Sequence, residues 1–254
     1  MTDPAAQRLD RPDGETVAYH RTPGSGPTVI FCGGFMSDMS GTKALALEAL
    51  CHERGQGSVR FDYLGHGESS GDFADGTIGR WADDALAVID MLGDDAPVLL
   101  VGSSMGGWIM LLAALARRQR VAGLVGIAAA PDFTRRMVEE EFDDEQRLAL
   151  LHQGRIELPS EYDDGPYVIT QALIDDGNAR CLLDGAIALD MPVRLLHGMQ
   201  DTAVPWQTAL TIAEALESEQ VNVILVKDGD HRLSEPPDIA RLCAAVAEVS
   251  GLVG

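Results

Sequence analysis

Basic residues are scarce in this sequence. It contains 19 lysines and arginines against 40 aspartates and glutamates, which gives a formal net charge of −21 at pH 7. A surface of this charge repels the phosphates of nucleic acids and the head groups of anionic lipids. We therefore expect no nucleic acid as a direct partner, and we attribute the acidity to solubility.

Cysteine is also rare. The four thiols are widely separated, with no C-x-x-C motif and no spacing typical of a metal site: Cys32, Cys51, Cys181 and Cys243. Free thiols of this kind are typical of a reducing compartment. The polar N-terminus, MTDPAAQRLDRPDGE, has no apolar core of a signal peptide. These observations predict a cytoplasmic protein, and nothing in them calls for a metal or an organic cofactor.

No uninterrupted apolar run reaches the length of a membrane span. The longest candidate is residues 96–116, APVLLVGSSMGGWIMLLAALA, whose centre is broken by glycines and serines. A spanning helix needs about 20 predominantly apolar residues. A buried strand, a turn and a buried helix explain the pattern better, so we expect no stable membrane insertion.

Short apolar runs alternate with segments of helical periodicity. The runs are rich in β-branched residues: ETVAYH, PTVIFC, GSVRFD, PVLLVG, AGLVGIAA, PVRLLHG and VNVILVKDG. Leucine and alanine recur at every third or fourth position in four other segments: TKALALEALCHERG, IGRWADDALAVIDML, WQTALTIAEALE and DIARLCAAVAEV. The alternation predicts an α/β fold, with a mostly parallel sheet covered by helices on both faces.

The alternation stops between residues 131 and 190. This stretch has no clear strand pattern and is rich in charges, and it is too long for a simple loop. We predict that it forms a small helical cap over the carboxyl ends of the strands. Because no internal repeat or low-complexity linker divides the chain, we expect a single domain over residues 1–254.

The turn VGSSMGGW contains two adjacent serines between a predicted strand and a predicted helix. In the sharp turn that presents a nucleophilic serine, the residues two before and two after the serine lie close together, and only glycine fits there. Ser104 has Gly102 and Gly106 at those positions, whereas Ser103 has larger residues. The pattern therefore predicts Ser104 as a nucleophile.

A serine hydroxyl needs a base to activate it, and the base needs a carboxylate to orient it. In hydrolases built on a parallel sheet these groups follow in the order serine, acid, histidine, each in a loop after a strand. Asp201 follows the predicted strand PVRLLHG, and His231 follows the strand VNVILVKDG. Order and placement together predict a catalytic triad of Ser104, Asp201 and His231.

Other candidate groups fit less well. His197 lies at the end of its own predicted strand, where a packed and hydrogen-bonded histidine is usual. His66 belongs to DYLGHGESSG, which resembles a nucleotide-binding fingerprint but has its third glycine misplaced. Asp230 is adjacent to His231, and side chains of sequence neighbours point apart, so we predict a turn residue there.

Two backbone N–H groups must stabilise the oxyanion that forms on the substrate. One is predicted on Met105, the residue after the nucleophile, at the positive end of its helix. The other is predicted on Phe35, in the glycine-rich loop after the strand PTVIFC. Met36, Met39 and Trp108 are candidate walls of a substrate pocket, although core packing explains them equally well.

Five stretches resemble those of one family: MSGTKALALEALC, VRFDYLGHGESSG, LVGSSMGGWIMLLAA, RLLHGMQDTAVPW and VILVKDGDHR. Through them the chain is similar to the mitochondrial acyl-protein thioesterases of mammals, also known as mycophenolic acid acyl-glucuronide esterases. The resemblance extends over about residues 28–242, including EYDDGPYVIT and CLLD in the predicted cap. It implies an α/β-hydrolase fold. It also implies the roles already predicted for Ser104, Asp201, His231, Phe35 and Met105.

The chain departs from that family at two places. Its oxyanion loop reads CGGF, with glycine where relatives often have histidine or proline, and its N-terminus has no arginine-rich mitochondrial presequence. We therefore expect a bacterial, cytoplasmic relative.

The function expected is that of a serine esterase or thioesterase acting on acyl esters or S-acylated substrates. One alternative is a peptidase of the same fold, similar to proline iminopeptidases. The acidic stretch VEEEFDDE would then supply carboxylates for a free amino terminus. Another alternative is a ligand receptor of the same fold with slow turnover.

Overall fold

The computed structural model describes residues 5–93, 96–158 and 166–253. Its strands are β1 (Gln7–Asp10), β2 (Thr16–Thr22), β3 (Ser25–Cys32), β4 (Gln56–Phe61), β5 (Val98–Ser103), β6 (Val121–Ile127), β7 (Arg155–Leu158), β8 (Tyr167–Thr170), β9 (Val193–Gly198) and β10 (Val221–Val226). Its α-helices are α1 (Thr42–Arg54), α2 (Ile78–Asp90), α3 (Met105–Ala116), α4 (Phe133–Arg136), α5 (Asp144–Gln153), α6 (Gln171–Asn178), α7 (Gln207–Ala215) and α8 (Pro236–Val253).

An eight-stranded sheet runs through the centre of the molecule. Its strand order is β1-β2-β4-β3-β5-β6-β9-β10. The β1–β2 and β2–β4 pairs are antiparallel, and the pairs from β4 to β10 are parallel. The predicted α/β fold with a mostly parallel sheet is confirmed.

Both faces of this sheet are covered by helices. Successive residues of β3 alternate between two apolar clusters, since Ile30 packs in the cluster with α2 and α3, whereas Val29 and Phe31 pack in the cluster with α1 and α8. Side chains of a strand point alternately to the two faces of the sheet. A strand buried on both sides therefore reads as a continuous apolar run, which is why the central strands are visible in the sequence.

The carboxyl ends of the parallel strands meet at one edge of the sheet. Cys32 pairs with Gly102, Ser103 pairs with Ile127, and Val226 pairs with Gly198. The loops that follow β3, β5, β9 and β10 consequently leave the sheet on the same side. Open α/β sheets bind their ligands at this edge.

The stretch between β6 and β9 contains more than helices. Besides α4, α5 and α6, it contains the two short antiparallel strands β7 and β8, which the sequence analysis did not predict. Each strand buries only one side chain deeply, Ile156 and Ile169, so neither shows a strand pattern in the sequence. Residues 159–165, which include the first half of the EYDDGPYVIT stretch, lie outside the described residues.

The two ends of this stretch are joined at one carboxylate. Asp132 precedes α4 and has a left-handed backbone, with φ of 60°. Its two carboxylate oxygens accept hydrogen bonds from the backbone N–H groups of Leu182 (2.8 Å) and Leu183 (2.9 Å). The chain that leaves the sheet after β6 is thus fastened to the chain that returns toward β9.

The edge strand β1 was also missed by the sequence analysis. Its residues QRLD are mostly exposed, and an edge strand with little burial carries no apolar signature. Among the helices of the described residues, none is both long enough and apolar enough for a membrane span.

Candidate active site

Ser104 occupies a strained turn between β5 and α3. Its backbone has φ of 53° and ψ of −120°, a conformation that residues other than glycine rarely adopt. A Cβ atom added to Gly102 would lie 2.3 Å from the carbonyl oxygen of Gly106, and one added to Gly106 would lie 2.1 Å from the carbonyl oxygen of Cys32. The turn therefore requires glycine on both sides of Ser104, for the steric reason that the sequence suggested.

Replacing Gly106 with alanine is expected to destabilise the protein strongly. The new methyl group would overlap the carbonyl oxygens of Cys32 and Gly33, and these are backbone atoms that cannot rotate away. Overpacking of this kind typically costs about 1–3 kcal/mol or more. Thermal denaturation of Gly106→Ala should show a lower Tm.

Gly251→Ala is the matched control for this substitution. Gly251 is exposed in α8, and a Cβ there would meet nothing within 4 Å. The control should keep or slightly raise the Tm. Equal melting temperatures for Gly106→Ala and Gly251→Ala would contradict the steric argument.

The three predicted triad residues are joined by two hydrogen bonds, both of which include His231. His231 Nε2 is 3.0 Å from Ser104 Oγ, and His231 Nδ1 is 2.8 Å from Asp201 Oδ2. The serine is half-buried and the Asp201 side chain is wholly buried. The neighbouring Ser103 is instead the last residue of β5 and pairs with Ile127.

The carboxylate of Asp201 is held by four donors. Its Oδ1 accepts the N–H groups of Ala203 (2.9 Å) and Val204 (2.8 Å). Its Oδ2 faces His231 and also His197, whose Nε2 is 3.1 Å away. Burial alone raises the pKa of Asp201, but the hydrogen bonds from His197 and His231 outweigh it and place the pKa well below its usual range. The acid is therefore ionised, as an orienting carboxylate must be.

His197 and Asp230 lie where the sequence analysis placed them. His197 is wholly buried at the end of β9, and its Nε2 also lies 3.1 Å from the carbonyl oxygen of Val204. Because a carbonyl only accepts, this nitrogen carries the proton and donates to Asp201 as well. Asp230 Oδ1 accepts the backbone N–H of Leu233 at 2.9 Å, which is the bond of a turn residue.

The oxyanion loop (residues 33–40) lies against the nucleophile. A Cβ on Gly34 would be 3.5 Å from Ser104 Cβ, so the amide of Phe35 belongs to the backbone beside the serine. Among the backbone hydrogen bonds of the described residues outside helices and strands, none uses the N–H of Phe35 or Met105 as donor. Both groups remain candidate donors to an oxyanion.

Met36 has an unusual conformation in this loop. Its φ is 55°, and its N–H points to His66 Nε2 at 3.3 Å rather than toward the serine. His66 is buried beneath the loop, and burial lowers its pKa to about 4. His66 is therefore neutral at pH 7. The sequence motif around His66 did not indicate this contact.

The buried His66 predicts a loss of stability in mild acid. Its ordinary pKa is 6.5 and its folded pKa about 4, so between these values the unfolded chain binds a proton that the folded chain does not. Stability from this group is complete above pH 6.5 and falls as the pH decreases toward 4. We expect the free energy of unfolding to drop by about 2–3 kcal/mol more for the parent than for His66→Gln between pH 7 and 4.5.

Denaturant unfolding of both proteins at the two pH values measures this difference. Asp84 acts in the opposite sense, because burial raises its pKa to about 6, but both proteins retain it and its contribution cancels. An identical pH dependence for the two proteins would show that His66 is not protonated on unfolding in this window.

The three predicted pocket residues are placed differently from one another. Trp108 is wholly buried, donates its indole N–H to the carbonyl oxygen of Arg180 at 3.3 Å and packs edge-on against Phe133. Met39 is also buried. This burial is what the core-packing alternative predicts for both side chains, and their place in the wall of a pocket stays a prediction. Met36 is half-buried and stays a candidate.

An aromatic cluster missed by the sequence analysis surrounds the oxyanion loop. The ring of Phe35 makes edge contacts with Phe73, Phe133 and Tyr167, with centroid distances of 4.8, 6.0 and 5.6 Å. Phe133 belongs to α4 and Tyr167 to β8. The loop is thereby joined to the segment between β6 and β9, a contact that sequence spacing cannot reveal.

No group of three or more histidine, cysteine, aspartate or glutamate side chains in the described ranges is arranged to hold a metal ion.

These features, a serine in a strained strand-to-helix turn with a histidine and an acid at neighbouring strand ends, define a class of protein. Residues 27–161 match the family model of the alpha/beta hydrolase fold. The chain belongs to the α/β-hydrolase family.

Within that family the chain is similar to one group of enzymes. Palmitoyl-protein thioesterase ABHD10, mitochondrial, of Bos taurus is 42% identical over 247 residues, which cover 95% of this chain and 78% of the relative. The Homo sapiens protein of the same name is 41% identical over 242 residues, with the same coverage. The family resemblance drawn from the sequence motifs is confirmed.

Solved structures agree with the sequence relatives. The crystal structure of a hydrolase from Agrobacterium vitis S4 has a TM-score of 0.91 and 42% identity, covering 97% of this chain and 99% of that one. Alpha/beta hydrolase domain-containing protein 10 from mouse has a TM-score of 0.90 and 39% identity, covering 99% and 100%.

Proposed function

We propose that this protein is a serine hydrolase that cleaves the acyl bond of esters and thioesters through an acyl-enzyme on Ser104. The observation that carries the proposal is the line of hydrogen bonds from Ser104 Oγ through His231 to Asp201, with distances of 3.0 and 2.8 Å. Each side chain comes from a different loop at one edge of the sheet. Such a line activates a hydroxyl that is otherwise a weak nucleophile.

The first half of the reaction forms the acyl-enzyme. His231 Nε2 takes the proton of Ser104 as its oxygen attacks the acyl carbon, and the carbonyl oxygen of the substrate becomes an oxyanion. The N–H groups of Phe35 and Met105 stabilise this charge. When the tetrahedral intermediate collapses, the bond to the leaving alkoxide or thiolate breaks and His231 returns the proton to it.

The second half releases the acid. A water molecule gives its proton to His231 and attacks the acyl carbon, and collapse of the second intermediate breaks the bond to Ser104 Oγ. His231 then reprotonates the serine. Throughout the cycle Asp201 holds the Nδ1–H of the imidazole and stabilises its cationic form.

The names of the relatives support a class of leaving group. The bovine and human relatives are named palmitoyl-protein thioesterases, and for this reason we propose S-acyl groups as the first substrates to test. A series of p-nitrophenyl esters and acyl thioesters from acetyl to palmitoyl, measured as kcat/KM, tests the assignment. We expect thioesters to be cleaved, with a maximum at one chain length.

A fluorophosphonate probe provides a second test that does not depend on the choice of substrate. It should label the parent protein at Ser104, detected by mass spectrometry of the labelled peptide. Absence of labelling together with absence of turnover on every ester and thioester would overturn the proposed function.

No observation favours the peptidase alternative. The carboxylates of VEEEFDDE with described contacts are used locally: Glu141 pairs with Arg136, Asp143 caps α5, and Asp144 pairs with Arg147. Cleavage of aminoacyl amides but not of esters would nevertheless favour a peptidase. A receptor of this fold would instead bind acyl ligands without steady-state turnover.

We also propose that the protein acts in the cytoplasm. Its four cysteines are free thiols, and Cys32 and Cys51 are wholly buried, as is typical in a reducing compartment. The mammalian relatives carry the word mitochondrial in their names. Fractionation of host cells followed by immunoblotting tests the assignment.

A further inference from the structure

The turn formed by residues 62–70 contacts the oxyanion loop at two points. His66 Nε2 accepts the N–H of Met36 at 3.3 Å, and Asp62 Oδ1 accepts the N–H of Met39 at 2.7 Å. None of these four residues belongs to the triad. We propose that His66, with Asp62, positions the oxyanion loop for catalysis, an inference that rests on the serine hydrolase function proposed above.

The hydrogen bonds of His66 fix its tautomer. Nδ1 lies 3.0 Å from the carbonyl oxygen of Leu64, and a carbonyl oxygen only accepts, so Nδ1 carries the proton. Nε2 then has a free lone pair and accepts the N–H of Met36. The ring is held in this orientation by edge contacts with Tyr63, Phe73 and Trp81.

The acceptor on His66 accounts for the backbone of Met36. A non-glycine residue at φ of 55° is in an unfavourable conformation, which persists only where surrounding contacts impose it. The peptide between Phe35 and Met36 is therefore turned toward the buried histidine. This peptide meets the one that carries the Phe35 N–H at the Cα of Phe35, so fixing its orientation restricts the directions open to that N–H.

Asp62 supplies the second attachment and shapes the turn. Its Oδ2 accepts the N–H of Glu68 at 2.8 Å. A Cβ on Gly67, which has φ of 45°, would lie 2.1 Å from the same oxygen. Only glycine therefore allows the turn to close around the Asp62 carboxylate.

The 62–70 turn is itself anchored to the rest of the domain. The hydroxyl of Ser69 accepts the N–H of Ala18 at 2.8 Å, and the hydroxyl of Ser70 accepts the N–H of Thr16 at 2.7 Å, both from β2. On the other side, Asp84 of α2 accepts the N–H of Leu64 at 2.9 Å. The oxyanion loop is thus attached through His66 and Asp62 to two regular elements.

This arrangement makes His66 a positioning residue rather than a catalytic one. It touches no reacting atom, and it acts by preorganising one of two oxyanion donors. Loss of one donor in a serine hydrolase typically reduces kcat by about 10²–10³-fold. A displaced donor should cost less, about 10- to 100-fold in kcat, with little change in KM.

The test compares three variants with the parent enzyme on one ester that the parent cleaves. His66→Phe keeps a planar ring but has no acceptor, whereas His66→Gln retains an acceptor oxygen. His52→Phe is the matched control, since His52 is exposed on α1. We expect His66→Phe to lose about 10- to 100-fold in kcat, His66→Gln to recover part of the loss, and His52→Phe to equal the parent.

The affinity of a trifluoromethyl ketone inhibitor is a measurement that a merely structural role of His66 would not change. The inhibitor's adduct with Ser104 bears an oxyanion, so its affinity should fall in the His66 variants by the same factor as kcat/KM. A folded His66→Phe with parental kcat and inhibitor affinity would overturn the proposal. So would a loss of kcat without any loss of inhibitor affinity.

Two checks distinguish a failure of the positioning role from a failure of the serine hydrolase function on which it rests. If the parent itself neither turns over esters nor reacts with a fluorophosphonate, the proposed function fails, and the positioning role fails with it. If the parent is active, only the comparison of variants decides. Should His66→Phe not fold at 25 °C, His66→Asn replaces it, because its shorter side chain withdraws the acceptor from Met36.

Discussion

Replacing Ser104 with alanine is expected to reduce kcat for a p-nitrophenyl ester by about five to six orders of magnitude. The variant loses the oxygen that attacks the acyl carbon, and only the oxyanion donors and substrate binding remain. Because alanine differs from serine by one atom, the strained turn and the glycines around it stay compatible with the fold. Initial rates over a long time course, with the Tm as a test of folding, measure the effect.

Ser103→Ala is the matched control for this experiment. Ser103 is the adjacent residue and the end of β5, and no triad hydrogen bond includes it. Its variant should react at close to the parental rate and should still be labelled by a fluorophosphonate. Parental turnover in Ser104→Ala, or loss of labelling in Ser103→Ala alone, would refute the choice between the two serines.

Replacing Asp201 with asparagine is expected to reduce kcat at pH 7 by about 10⁴-fold. Oδ1 accepts two backbone N–H groups, from Ala203 and Val204, so the amide oxygen of asparagine will occupy that position. Its NH₂ group must then face His231 and donate to Nδ1. His231 would carry its proton on Nε2, and in that tautomer it cannot accept the proton of Ser104.

Asp230→Asn is the control for the acid. Asp230 is adjacent to His231 in sequence, but its carboxylate accepts the N–H of Leu233, and the amide oxygen of asparagine can do the same. Rates measured from pH 6 to 9 should be close to parental for Asp230→Asn and far lower for Asp201→Asn. The reverse order would assign the orienting acid to Asp230.

Most of the fold and the triad could be predicted from the sequence for one physical reason. Strands buried on both faces read as apolar runs, and the chemical groups lie directly after the runs: Ser104 after β5, Asp201 after β9 and His231 after β10. The position of each group next to a predicted strand in the sequence therefore indicated its position at the end of that strand in the fold. The glycines around Ser104 are required by contacts with the backbone of the turn and with Cys32, so they were informative as well.

Features that depend on contacts between distant segments could not be predicted. The direction of the Met36 N–H depends on His66, which lies 30 residues further along the chain. The burial of Trp108 depends on contacts with Phe133 and Arg180, so the sequence left core packing and a pocket wall equally open for it. Sequence spacing contains no information on either contact.

The carboxylate of Asp132 has a consequence for how this protein can vary. It joins positions 50 residues apart, so the chain between them is a loop that hydrogen bonds close at its base. Residues can be inserted into or deleted from exposed parts of such a closed loop, since exposed connections tolerate changes in length. We expect the direction in which β6 leaves the sheet and β9 enters it to stay the same. Exchange of this closed loop between relatives, with Asp132 retained, should therefore leave the catalytic framework unchanged.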